Sequence, residues 1–158
     1  MSYYTKRALV DLANLDQVAE ELLSLGGVSR PPVPENILSI FDPSRSVMIA
    51  RHQLGVIRGV LKPSGRSWVV IVNSRLPRGA QRFAIMHEGF HILQRTGAVE
   101  NGHGEEYNEW LANGFAARIL MPRRWMIEAA RTMKEEQLSA RFKVSYTALE
   151  KRLRELSA

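Results

Sequence analysis

The sequence has no cysteine among its 158 residues, so disulfides and thiolate metal sites are both excluded. No apolar run approaches the roughly 20 residues of a membrane span. The opening stretch, MSYYTKRALVDLANLDQ, has no secretory h-region. Repeats and low-complexity tracts are also missing. With these absences no membrane partner is expected, and a cytoplasmic location fits without being demanded. What is present is ordinary globular usage, 45% hydrophobic and 24% charged, enough for one compact domain with a small appendage.

Acidic residues are in deficit. The net charge is +6, which favours anionic partners or simply a basic, soluble surface. The surplus is uneven, because residues 123–158 carry nine Lys/Arg against five Glu.

Apolar periodicity predicts an amphipathic helix over 5–25, with Ala8, Leu12, Leu15, Ala19 and Leu22 on one face and Gly26-Gly27 ending it. Pro34 then opens a short helix, ENILSIF. Strand-like segments follow at 46–50, 55–61 and 67–73, and the short turns between them predict antiparallel neighbours. Helices are expected at about 78–95 and 105–121. The remainder is polar and helical, with a break near Lys143–Ser145. Helices, then a small antiparallel sheet, then helices argue for an α+β fold with helices on one face of the sheet.

Within the helix over 78–95, residues 86–94 read MHEGFHILQ. His87 and His91 are i and i+4, so their side chains leave one helix face about a turn apart. That spacing suits two imidazoles on one cation, and zinc accepts imidazole nitrogen in sites that leave a position to water. Glu88 is turned about 100° from His87, beside the metal and placed to take a proton from water there. This is the H-E-x-x-H pattern of zinc peptidases. Phe83, Met86, Phe90 and Leu93 can bury the flank of the helix.

With cysteine excluded, the third ligand is sought on the next helix. Glu109, Ala112, Asn113 and Ala116 share one face, and the small residues allow close approach to the histidine helix. Glu109 is the chosen ligand. Glu105, Glu106 and His103 stay open as alternatives, although His103 stands in a glycine-flanked loop and is costly to order.

The stretch QRFAIMHEGFHILQ followed by EWLANGFAARILMP resembles the ImmA/IrrE family of zinc-peptidase-like proteins. Arg82 and Phe83 match the family's lead-in, His87, Glu88 and His91 its core motif. Glu109, Trp110, Ala112, Asn113, Phe115, Ala116, Ala117, Leu120, Met121 and Pro122 match its second helix. Similarity extends over about 28–153, including VSRPPVPENILSIF and ARFKVSYTALEKRL. Gly89-Phe90 and Leu111 depart from the usual pattern. Gly89 costs about 1 kcal/mol relative to alanine inside a helix, and Phe90 adds bulk beside the metal.

The resemblance implies a zincin-like fold, zinc held by His87, His91 and Glu109, and Glu88 as general base. Manganese is an alternative ion. By analogy the chain is an endopeptidase whose protein substrate is a helix-turn-helix repressor of a stress regulon or mobile element. A substrate strand is expected on a sheet edge near 67–73, and Tyr107, His103 and Tyr146 are the candidates for stabilising an oxyanion. Residues 1–122 are expected to form the metallopeptidase-like domain.

Residues 123–158 form a helical C-terminal segment resembling a helix-turn-helix. There Tyr146, Thr147, Glu150 and Lys151 would face bases or phosphates, while the five glutamates oppose a phosphate surface. This supports the rival function, a DNA- or protein-binding transcriptional regulator with an idle metal site. A weaker third reading is an aminopeptidase of small peptides.

Overall fold

The computed structural model describes residues 8–9, 12–100 and 104–158. Eleven-residue α1 (Leu15–Leu25) buries Leu15, Val18, Ala19, Leu22 and Leu23, the stripe that the periodicity predicts. The helix starts later than expected. Ala8–Leu9 form a short strand, β1, that pairs in parallel with β5 (Val99–Glu100), and a 3-10 turn at Leu12–Asn14 leads into α1. Residues 5–7, 10 and 11 of the expected helix lie outside the described residues. ENILSIF is a 3-10 helix at Glu35–Ile40.

The sheet contains β2 (Ser46–His52), β3 (Gly59–Ser64) and β4 (Ser67–Asn73), in the order β2-β4-β3. The α+β class stands, but the sheet is mixed rather than wholly antiparallel. β3 and β4 form the hairpin, joined by Gly65-Arg66, with Gly65 at φ +59° where a left-handed residue is needed. β2 pairs in parallel with β4, Ser46 opposite Ser67 through His52 opposite Asn73. The segment between β2 and β3 therefore passes across the end of β4 and is not a hairpin turn. The Asn73 amide holds it there, donating to the carbonyls of Gly55 and Ile57 at 2.9 Å each.

A second correction follows. Segment 67–73 is the central strand, so its backbone is paired on both sides; the edges lie on β2 and β3, and the β3 edge is the one beside Glu88. Along β4, Trp68, Val70 and Val72 point into the core, while Val69 and Ile71 alternate to the other face. Helix α2 (Arg78–Thr96) packs on the inner face. It ends at Gly97, whose φ of +78° supplies the left-handed cap expected there.

Helix α3 (Glu105–Leu120) runs antiparallel to α2, as the pairs His87–Asn113, His91–Glu109 and Gln94–Asn108 show. Ala112, Ala116 and Leu111 are fully buried. The two departures on α2 are explained by packing. A Cβ on Gly89 would come within 2.9 Å of the Phe41 ring and 3.2 Å of Leu38. The missing side chain thus lets the 3-10 helix close on α2, and that packing offsets the helical cost of glycine. Phe90 does not crowd the metal position. It is fully buried in the core, its ring 5.3 Å from that of Phe115.

The C-terminal segment contains α4 (Arg123–Ala130), α5 (Glu135–Phe142) and α6 (Tyr146–Ser157). Lys143 takes φ +53° at the end of α5, where a turn glycine would be usual. The turn is seated on the start of α2. Arg82 donates to the Lys143 carbonyl at 3.0 Å and to the Val33 carbonyl at 2.7 Å. A Cβ on Gly79 would lie 2.6 Å from the Ser145 nitrogen. Arg152 of α6 is 1% exposed. It donates to the Met121 carbonyl at 3.0 Å and to Asp16 of α1 at 2.9 Å.

Candidate metal centre

The H-E-x-x-H segment lies mid-helix in α2, where i and i+4 spacing puts both imidazoles on the side facing α3. Buried Ala112 and Ala116 let α3 come close enough for Glu109 to meet them. His87 Nε2 and His91 Nε2 are 3.2 Å apart. The Glu109 carboxylate lies 3.4 Å from His87 and 2.5 Å from His91. These three residues form the group able to hold a metal ion among the described residues.

The geometry suits a tetrahedral ion in two of its three edges. Donors at zinc distance stand roughly 3.3 Å apart, close to the 3.2 and 3.4 Å found. The third pair is tighter, and Glu109 needs to retreat by roughly 0.8 Å to reach that separation. Its side chain is 52% exposed, which leaves an open side for that shift.

The outer ring nitrogens are held as well. His87 Nδ1 is 2.7 Å from the Asn113 carbonyl oxygen, and His91 Nδ1 is 2.8 Å from that of Gln94. An amide oxygen accepts only, so each Nδ1 must donate and each Nε2 is left with a lone pair toward the centre. Gln94 in turn donates to Asn108 at 3.1 Å. Asn113 and Gln94 were not assigned roles from sequence. The readable signal is their spacing, i+4 from Glu109 and i+3 from His91.

Glu88 stands apart from the trio, against the start of β3. A Cβ placed on Gly59 would be 3.5 Å from its carboxylate. Burial raises the Glu88 pKa, the neighbouring imidazoles pull it down, and the Glu109 carboxylate pushes it up, with a net upward shift. A carboxyl poised above its usual range is suited to taking and returning a proton near neutral pH.

A groove of about 610 Å³ opens beside the centre, lined by Leu61, Glu88, His91, Arg95, Glu105 and Glu109 among others. Glu105 thus borders the site without joining the three ligands, and Glu106 is exposed outside it. His103 lies outside the described residues. Of the expected oxyanion donors, Tyr107 stacks near Trp110 with ring centroids 5.5 Å apart. Tyr146 hydrogen-bonds Glu135 on the exposed surface, which pushes its phenol up to about 12.

Two imidazoles and a carboxylate from antiparallel helices, with a second glutamate between them and an open strand edge, define a metallopeptidase-like α+β domain. The comparisons agree with that class. Residues 44–154 match the model of the IrrE N-terminal-like domain, peptidase M78, and the chain belongs to this family. No curated protein matches the chain. Among solved structures it is similar to a Mycobacterium tuberculosis transcriptional regulator, with 20% identity and a TM-score of 0.62. That likeness covers 93% of this chain and 47% of the regulator, so the chain spans less than half of that protein. At this identity the likeness concerns the fold. No described helix is long and apolar enough to cross a membrane.

Proposed function

We propose that this chain is a cytoplasmic zinc-dependent endopeptidase that cuts a regulatory protein, specifically a helix-turn-helix repressor of a stress regulon or mobile element. The observation that carries this reading is the convergence of His87, His91 and Glu109 on one point, with Glu88 beside the open edge of β3. His87, His91 and Glu109 would hold zinc, or manganese in its place. When bound, the ion supplies Lewis acidity to a peptide carbonyl and acidifies a water molecule. Asn113 and Gln94 fix the ring orientation of the two histidines. Glu88 takes the proton from water and delivers it to the leaving amine. The β3 edge offers backbone hydrogen bonds that hold a substrate strand extended across the site.

In this reading residues 1–122 form the catalytic domain and 123–158 a helical appendage fastened to it. The cluster of Asp16, Arg118, Arg152 and Glu155 supports that role for the appendage. A second reading, a DNA-binding regulator with an idle metal site, draws on the α5–turn–α6 path and on the exposure of Tyr146, Thr147, Glu150 and Lys151.

Glu88→Gln separates the two. It is expected to lower repressor cleavage by roughly 10²- to 10⁴-fold, with metal content unchanged, whereas His91→Ala is expected to lose the metal. Full biological activity in Glu88→Gln would rule the peptidase reading out.

A further inference from the structure

A second groove, of about 630 Å³, is lined by residues of α2, α3 and α6 with Arg58. It adjoins the metal centre through Asn113, which lines it and also holds His87. Its lining is apolar at Phe83, Ala117 and Ala148, and Trp110 is left 47% exposed. Arg58 and Lys151 are exposed, and neither has an ion-pair partner among the described residues. The carboxylate that lines this groove, Glu155, is turned to Arg118 and Arg152 at 3.7 and 3.5 Å. The groove on the far side of the centre has the opposite character, with Glu88, Glu105 and Glu109 facing it and the Arg95 guanidinium over the Trp68 ring.

Building on the endopeptidase reading, we propose that the Arg58–Trp110–Lys151 groove binds a stretch of the protein substrate that carries acidic residues beside an apolar or aromatic one. Strand β3 connects the two grooves. It begins at Gly59, next to Glu88, immediately after Arg58, and reaches the other groove at Leu61. A peptide paired along its edge therefore leaves the centre toward Arg58 at one end. An acidic segment is attracted there by these two cations and repelled at the other end by Glu105, which borders that groove without holding the metal. The apolar lining and Trp110 accommodate a hydrophobic side chain. Nucleic acid fits this surface less well. Two cations neutralise few phosphates, and Glu135, Glu136 and Glu150 stand exposed on the adjoining helices.

The test uses full-length, metal-loaded Glu88→Gln protein, so that binding is read apart from turnover. Two labelled peptides of equal length are compared by fluorescence anisotropy, one with aspartates flanking a Leu-Phe core and one with lysines there. The acidic probe is expected to bind about tenfold tighter at low salt, with the advantage shrinking as salt rises. Arg58→Glu combined with Lys151→Glu is expected to invert the preference with metal content and melting temperature unchanged. Equal binding of the two probes, or a preference that survives the charge reversal, overturns the proposal. So does a duplex DNA probe that binds in place of the acidic peptide and is lost on reversal. If the acidic preference holds while the unmutated protein cuts neither probe nor repressor, the groove stands and the peptidase reading fails.

Discussion

The α2–α3 pair and the α5–α6 pair are both helix pairs rich in polar residues, yet they use them in opposite ways. In α2–α3 the polar groups turn inward to a common point, where His87, His91 and Glu109 meet and Asn113 and Gln94 steady them. In α5–α6 most polar residues face solvent, while the buried ones, Arg152 above all, fasten the pair to α1 and to the end of α3. Small residues decide the first case, because Ala112 and Ala116 allow a close helix approach. Arginines decide the second, since Arg82 and Arg152 each reach backbone carbonyls of distant segments. The same raw material thus yields a site in one region and an anchorage in the other.

Mutations that strike one region and spare the other sharpen this contrast. The largest effect on stability is expected from Arg152→Ala, which removes the shorter of the two arginine contacts to Asp16 and to Glu155 and leaves only Arg118, at 3.7 Å, with each. Loss of one member of a buried ion cluster costs about 3 kcal/mol at the lower end of the usual range, the end appropriate to carboxylates that are one-third exposed. For a chain of this size that is a fall in Tm of roughly 6–12 °C, read by thermal melting. Metal content of the folded fraction should stay the same.

Asn113→Leu is expected to do the reverse. It should weaken metal binding about ten- to a hundredfold, measured by competition with a chelator, with Tm of the metal-free protein nearly unchanged. An equal loss of Tm would place Asn113 with the anchoring residues instead. Gly79→Ala is the smallest of the three. Its Cβ would meet the backbone at Ser145, so the α5–α6 turn must shift at a cost of about 1–3 kcal/mol. Denaturant melts would show the loss, and unchanged metal affinity would keep the two regions separate.

Much of the site was legible because its determinants are local. The spacing of His87 and His91 acts within one helical turn, and Gly97 and Met121-Pro122 mark helix ends by backbone preference alone. Glu109 was readable through the small residues on its own face. The misreadings share a cause of the opposite kind. Strand alternation at 46–50 and 67–73 records which side chains face the core, but it does not record which strand lies alongside which. The parallel β2–β4 pairing and the open edge on β3 therefore came out differently from the expected antiparallel sheet. Phe90 buries the helix flank as expected but adds no bulk beside the metal, because its ring turns to Phe115 in the core. The groove at Arg58, Trp110 and Lys151 joins residues from three separate parts of the chain, and no local pattern encodes such a meeting.

The sequence by itself determined the chemistry on offer: which donors exist, their order on two helices, and the absence of thiolates. Only the tertiary structure decided where those donors converge, which strand edge lies beside them, and how the last helices are fastened down. The physical reason is that helix spacing and caps are set by torsion angles and contacts a few residues long. Strand partners and helix neighbours are set instead by burial of apolar surface among segments far apart in the chain.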